Sequence, residues 1–300
     1  MRKERIMKRY VLLIIVACVC VISTVSLLSC TATDKATNGV PKPEWASFVP
    51  SPEFSPPYPP LPHHFNDMHG IQILCRAPAG AIERALAKPL EKNGEGDLFV
   101  LQLGWSPDCE GFNVHEIQIN AAVKWKDSVG STTLIEYIDS DMGLIAGREI
   151  WGWPKKMSEI IWTQTDTGWT IECYKQKDQG SIPLMKVEYT VSASTPEVEW
   201  PVMEPVYLVK RIPNASPSVP PLTQLVCVGC NRPPDSESAF DPSAAATRTK
   251  GTATVQFFDG PHDQLTFFGP VEVLDARMNI FEGPMTGGLG LGEVVYEWVE

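Results

Sequence analysis

Two adjacent lysines, Lys155 and Lys156, follow Trp151, Trp153 and Pro154 in a strongly acidic chain. An exposed Lys-Lys turn after a buried strand is the ordinary explanation, because lysine is seldom buried. Lysine chemistry offers a second one. A neutral amine attacks a ketone and forms a Schiff base, whose protonated form draws electrons from the adjoining carbon. The free side chain titrates near ~10.4, so little of it is nucleophilic at neutral pH. Desolvation and a neighbouring cation both lower that value. A unit charge ~6 Å away, at an effective dielectric of ~20, is worth about 2.8 kcal/mol, or roughly two pK units. Trp151 and Trp153 would supply apolar walls, and Lys156 the cation. On a strand Lys155 shares a face with Trp153 while Lys156 points away, so a bend at Pro154 is needed to bring both ammonium groups to one cavity.

Other groups compete for a role. Cys227-Val228-Gly229-Cys230 is a CxxC, but a zinc site needs a second ligand pair at similar spacing, and the five histidines are scattered. Leu225 to Val228 reads as a strand rather than a redox helix start, which leaves strand thiols, a disulfide at a bend, or redox chemistry open. Arg148 and Glu149 are adjacent, and on a strand they face opposite sides; a structural role is expected. His115 stands beside Glu116, and the same alternation sends it to the other face.

The elements that must position these groups are mostly strands. The 300 residues are 43% hydrophobic and 20% charged, which supports a sizeable core and excludes a disordered chain. Segments 97–105, 116–125, 132–137, 160–173, 185–191, 206–212, 251–258, 271–279 and 294–299 are rich in β-branched and aromatic residues. The short run 71–75 joins them, and Ala79 to Leu86 is the one clear helical stretch. Many short strands with few helices predict a β-sandwich or barrel. Residues 232–250 read as an inserted loop. The net charge of −11 argues against a nucleic-acid partner.

Charge is uneven along the chain. Five of the 25 basic residues and one of the 36 acidic ones lie in residues 1–29, so the remainder carries −15. Val11 to Leu28 is uncharged, and with the basic start it reads as an export signal. Leu27-Leu28-Ser29-Cys30 resembles the lipobox of bacterial lipoproteins. That resemblance implies cleavage before Cys30, acylation there, and anchoring in the cell envelope membrane; an uncleaved membrane anchor and a soluble secreted protein are the alternatives. Of the other cysteines, Cys18 and Cys20 leave with the signal and five remain, an odd number that leaves at least one free thiol. Nine prolines between Pro41 and Pro62 make an extended arm, with Trp45, Phe48, Phe54 and Tyr58 expected to pack along the domain surface. The divisions are residues 1–29 as signal, 30–62 as lipid-anchored tether and 63–300 as one domain.

Ala146-Gly147-Arg148-Glu149 followed by Trp153-Pro154-Lys155-Lys156 resembles the signature of the acetoacetate decarboxylase family. Phe65 to Arg76, Lys88-Pro89-Leu90-Glu91, Tyr207 to Asn214, Gln256 to Asp259 and Val295 to Trp298 are similar to further family segments, so roughly residues 55–300 are covered. The resemblance implies a mainly β fold, a bent, cone-shaped barrel with small helices around an internal site. It implies Lys155 as the Schiff-base lysine, Lys156 as the group lowering its pKa, and Glu116, thirty-nine residues earlier, as the active-site glutamate. Trp153 takes the place of a tyrosine. A second family glutamate falls on Leu101, beside Gln102, and the arginine that engages the substrate carboxylate falls on Met68. Arg76 is a candidate substitute for that cation, or equally a surface residue at a strand end. Substrate contacts are therefore expected from Trp153, Met68, Leu101 and Arg76, with a more apolar or larger keto acid than acetoacetate. No metal or organic cofactor is expected, because the iminium is the electron sink. The family's enzymes are large homo-oligomers; tethering every chain to a membrane favours a smaller oligomer or a monomer. Decarboxylation, an aldolase-dehydratase reaction on the same lysine, and an inactive ligand-binding barrel are the functional alternatives.

Overall fold

The computed structural model describes residues 51–52, 54–60, 63–178, 181–192, 198–230, 245–287 and 292–299. The expected export signal, lipid attachment at Cys30, and Trp45 and Phe48 of the arm lie outside them. No helix among the described residues is long and apolar enough to cross a membrane.

The chain begins with β1 (His63–Asn66), β2 (His69–Arg76), β3 (Glu91–Lys92), β4 (Leu98–Cys109), β5 (Phe112–Trp125) and β6 (Ser128–Ile138). A five-residue helix, α1 (Ala81–Ala85), sits between β2 and β3. Helix α2 (Asp141–Ala146) and a π-helical turn (Gly147–Trp151) lead into β7 (Lys155–Met157). Then come β8 (Glu159–Gln164), β9 (Gly168–Tyr174), β10 (Met185–Val191), β11 (Val206–Ile212), β12 (Leu222–Val228) and β13 (Thr247–Phe257). Last are β14 (Asp259–Gly260), β15 (Asp263–Gln264), β16 (Glu272–Ile280), β17 (Pro284–Gly287) and β18 (Glu293–Glu297).

Sixteen strands form one sheet, whose main path runs β18-β12-β11-β6-β5-β4-β2-β16-β13-β10-β9-β8. The mainly β class agrees with the sequence; the closed barrel does not. Among the described residues the path ends at β18 on one edge and β8 on the other, and no pairing joins them. Segment 160–173 is a hairpin, β8 and β9, bent at Asp166-Thr167, rather than one strand. Of the loop expected over 232–250, residues 232–244 lie outside the described residues, and Thr247 to Lys250 belong to β13.

The larger correction concerns Ala146 to Glu149, expected on a strand, which lie instead in α2 and the π turn spanning residues 141–151. The Ser140 hydroxyl caps α2 by accepting from the Gly143 N–H at 3.2 Å. Gly152, at φ 87, then ends the helical turn in a conformation that favours glycine. Arg148 and Glu149 do diverge, but from a helical turn. Arg148 Nη1 donates to the Lys155 carbonyl at 3.1 Å, and Glu149 accepts from the Tyr58 hydroxyl at 3.4 Å. Tyr58 is buried with Cys109, Ile138 and Met142, so this part of the Pro-rich arm packs on the domain, whereas Phe54 stays exposed.

Alternation divides the central strands into two faces. One carries Ile71 and Ile73 of β2, Leu101 and Leu103 of β4, Ile117 and Ile119 of β5 and Tyr137 of β6, all in the main core. The other carries polar groups in register. Lys155 pairs with Glu136, Glu136 with Gln118, Gln118 with Gln102, Gln102 with Gln72, and Gln72 with Arg277.

Candidate active site

Lys155 enters this polar face from β7, which pairs parallel to β6. Its aliphatic stem lies against Gly147, where a β-carbon would overlap the Lys155 Cε and Cδ atoms. The helical turn thus needs glycine at 147 to let the lysine pass. Nζ stands 2.7 Å from Glu136 Oε1 and 3.5 Å from Glu116 Oε2. The Lys155 side chain is 11% exposed, that of Glu116 20% and that of Glu136 0%. Glu116 lies opposite Gly104, whose missing side chain leaves room for it: a β-carbon there would sit 3.1 Å from Glu116 Cγ and 3.5 Å from Met68 Cε.

The electrostatics differ from the sequence expectation. Burial pulls the Lys155 amine down, but the two carboxylates outweigh it and hold it above the ordinary lysine value. Burial pushes the Glu136 carboxyl up to about 8, with Lys155 pulling against that and Glu116 adding to it. One ammonium and two carboxylates therefore share a nearly dry site.

Lys156 is not beside Lys155. Alternation carries it, with Tyr137, to the main-core face, where it forms an ion pair with Asp263 and donates to the His262 carbonyl at 2.9 Å. Tyr137 Oη donates to the same Asp263 oxygen at 2.7 Å. Burial alone would raise the Asp263 carboxyl; the bonds from Lys156 and Tyr137 bring it below the ordinary carboxylate value. The bend at Pro154 does not reverse this alternation, and the charges acting on Lys155 are the glutamates.

The remaining expected contacts divide. Met68 is buried beside Glu116. Leu101 is turned into the main core, and its neighbour Gln102 is the residue that faces the polar row. Arg76 is an exposed strand-end residue paired with Glu272. It lies four positions beyond Gln72 on β2, about 13 Å along the strand, so it does not replace the missing cation. Trp153 and Trp151 pack with Leu208 and Val226. Cys109, buried and pushed up to about 12 by that burial, and His63, which burial holds below the ordinary histidine value, both feel the Lys155 charge.

His115 stays on the opposite face. It pairs with Asp139 at 2.7 Å and stacks on Trp105, which in turn stacks on His69. Cys227 and Cys230 form a disulfide, the bend alternative, while Cys75, Cys109 and Cys173 are free and buried. Among the described residues no cluster of three or more His, Cys, Asp or Glu could hold a metal ion.

Glu136, Gln118, Gln102, Gln72 and Arg277 escaped the sequence reading. A signal was present: Glu136 is the lone charge in Leu134-Ile135-Glu136-Tyr137-Ile138, and each glutamine is flanked by aliphatic residues in a strand. A polar residue flanked by apolar ones in a strand marks the face opposite the core.

Residues 48–297 match the family described as acetoacetate decarboxylase (ADC). Acetoacetate decarboxylase 3 of Mesorhizobium japonicum is 33% identical over 105 residues, so the chain spans only 40% of that relative's length, using 35% of its own. The structure of acetoacetate decarboxylase (ADC) from Legionella pneumophila superposes with a TM-score of 0.65 at 18% identity, covering 87% of this chain and 94% of that one. The enduracididine biosynthesis enzyme MppR, solved with the condensation product of pyruvate and imidazole 4-carboxaldehyde, gives a TM-score of 0.54 at 16% identity, covering 77% and 91%. At these identities the structural likeness speaks for the fold, and the family match extends it to the sequence: the chain belongs to the acetoacetate decarboxylase family.

Proposed function

We propose that this protein is a lyase that forms a Schiff base between Lys155 and a keto acid. The observation that carries the reading is the buried Lys155 amine held between Glu136 and Glu116 on a polar sheet face. The amine rests protonated. The ionised form of Glu136, made strongly basic by the burial that raises its carboxyl to about 8, takes that proton and leaves a neutral amine and a neutral acid. The amine attacks the ketone carbon, and loss of water leaves the iminium. Decarboxylation then sends the C–C bond electrons into the iminium; Glu116 relays a proton to the resulting enamine carbon, and water releases the product. Met68 stands where a polar substrate contact is expected in the family and supports a more apolar substrate near the amine.

A second reading has its own support. Carboxylates beside an iminium are suited to remove an α-proton, giving an enamine that adds to an aldehyde, and MppR was solved with a condensation product. Carbon dioxide release separates the two.

The test is borohydride reduction in the presence of keto acids, followed by mass spectrometry. The proposal expects attachment at Lys155, abolished by Lys155→Ala in a variant with an unchanged circular dichroism spectrum. No attachment with any keto acid tried, while the protein is folded, would count against it. Lipid anchoring at Cys30 belongs to the same proposal and supports a small assembly or a monomer at a membrane. Incorporation of a clickable fatty acid that persists in Cys30→Ala would remove that part.

A further inference from the structure

The polar row does not stop at the glutamates. It crosses β5, β4 and β2 through Gln118, Gln102 and Gln72, and ends on β16 at Arg277. Arg277 Nε donates to Gln72 Oε1 at 2.9 Å. Its guanidinium carbon lies over the Trp200 indole, 3.8 Å from the ring centre. Trp200 is itself fixed, its Nε1 donating to Asp275 Oδ2 at 2.8 Å. Among the described residues no carboxylate forms an ion pair with Arg277, and its Nη hydrogens have no partner. A half-buried guanidinium without a counter-ion is costly, because lost hydration is not replaced. Burial and nearby Arg248 push its pKa down to about 10, with Asp275 only partly opposing them. Stacking on tryptophan leaves the planar fork free to take an oxyanion in two hydrogen bonds.

We infer that Arg277, seated on Trp200 and oriented by Gln72, is the subsite for an anionic group at the far end of the keto substrate. This rests on the Schiff-base reading for the near end. Lys155 Nζ, beside Glu116, reaches β5, and the guanidinium, bonded to Gln72, reaches β2; these two strands are two spacings apart, or about 10 Å. Allowing for the imine bond and one hydrogen bond leaves about 6 Å, roughly five bonds of an extended chain. The substrate class is a keto acid whose carboxylate stands about five bonds from the ketone, its chain lying along the glutamines.

The test compares 6-oxoheptanoate with its methyl ester on the mature protein. The readout is half-saturation of borohydride attachment at Lys155, and acetoacetate, too short to reach, is the control. The expected result is at least a tenfold lower half-saturation for the acid. That preference should vanish in Arg277→Met, while acetoacetate attachment stays unchanged. Equal half-saturation of acid and ester in the wild type, or a preference that survives in Arg277→Met, overturns the inference but leaves the Schiff base standing. If nothing attaches to the wild type, the Schiff-base reading fails instead. Calorimetry with 6-oxoheptanoate then decides the subsite: saturable binding lost in Arg277→Met supports it, and no binding refutes it. The wild-type comparison needs no variant to fold.

Discussion

Replacing Glu136 by glutamine should convert a protonated resting lysine into a more reactive one. The substitution keeps shape and removes one charge 2.7 Å from Nζ. At an effective dielectric of ~20 that contact is worth about 6 kcal/mol, or roughly four pK units. The full amount is not expected. Burial offsets part of that attraction by favouring the uncharged Glu136 carboxyl, and Glu116 remains at 3.5 Å. A fall of at least two units in the Lys155 pKa is the expected outcome, because desolvation is then opposed by only one carboxylate. The assay is competitive labelling with an amine-selective acylating reagent across pH, with mass spectrometry reading Lys155 against exposed lysines in the same chain. Only the neutral amine reacts, so the midpoint reports its pKa directly. An unchanged or raised midpoint in Glu136→Gln would show that the pair does not control the lysine, and the proton-transfer step would fall with it.

The remaining predictions use the same site and its reverse face. Gly147→Ala should force the Lys155 stem aside, lowering Schiff-base trapping at least tenfold while costing about 1–3 kcal/mol in urea unfolding, the usual range for overpacking. Lys156→Met should leave the Lys155 labelling midpoint within about 0.3 units, since the two lysines occupy opposite faces. It should nonetheless destabilise by about 3 kcal/mol, because Asp263 is left buried with Tyr137 alone. That deficit has a pH signature. The Asp263 carboxyl is lowered in the fold, so its contribution is present above the ordinary value of 3.8 and is lost as pH falls through the folded value. Urea midpoints of wild type and Lys156→Met should therefore converge in acid. Glu136 has the opposite sign: its raised carboxyl keeps a proton that the unfolded chain gives up above the ordinary 4.5, so wild type should lose stability relative to Glu136→Gln as pH rises from 5 to 8.

Strand periodicity made much of this molecule readable in advance. Segment 97–105 falls within β4 but for Asp97, and segments 116–125 and 185–191 fall within β5 and β10, because aliphatic and aromatic residues mark one buried face. The lysine and Glu116 were legible through family spacing. Closure was not, because which edges pair depends on register between strands far apart in the chain. The 141–151 helix was missed because Leu144, Ile145, Ile150 and Trp151 suit a strand locally, while the Ser140 cap and the close approach of Lys155 to Gly147 decide otherwise. Lys156 shows the limit of adjacency: neighbours in sequence on a strand are strangers in space, and its partner Asp263 lies 107 residues away. Arg277 shows the converse, since only the assembled order β6-β5-β4-β2-β16 places it on the row that starts at Lys155.

The same geometry constrains the chemistry further. No cation on the Lys155 face of β7 suppresses its proton, so a nucleophilic amine must form by moving that proton to a neighbour, and Glu136 is 2.7 Å away. The transfer has a second consequence. A substrate with its carboxylate next to the reacting ketone would place a negative charge close to Glu136 and Glu116; at ~4 Å and an effective dielectric of ~20 each such contact costs about 4 kcal/mol. Protonating Glu136 removes one of the two. Moving the substrate carboxylate to the Arg277 end avoids both. Once the iminium forms, its positive charge sits where the ammonium was, between the same carboxylates, which stabilises the intermediate but weakens its pull on a breaking C–C bond. Glu116, 3.5 Å from the same nitrogen, is a base within reach of an α-proton, which an apolar wall would not be. The arrangement therefore favours a keto acid with a remote carboxylate, whose enamine forms by loss of an α-proton; loss of carbon dioxide requires a second carboxylate β to the ketone.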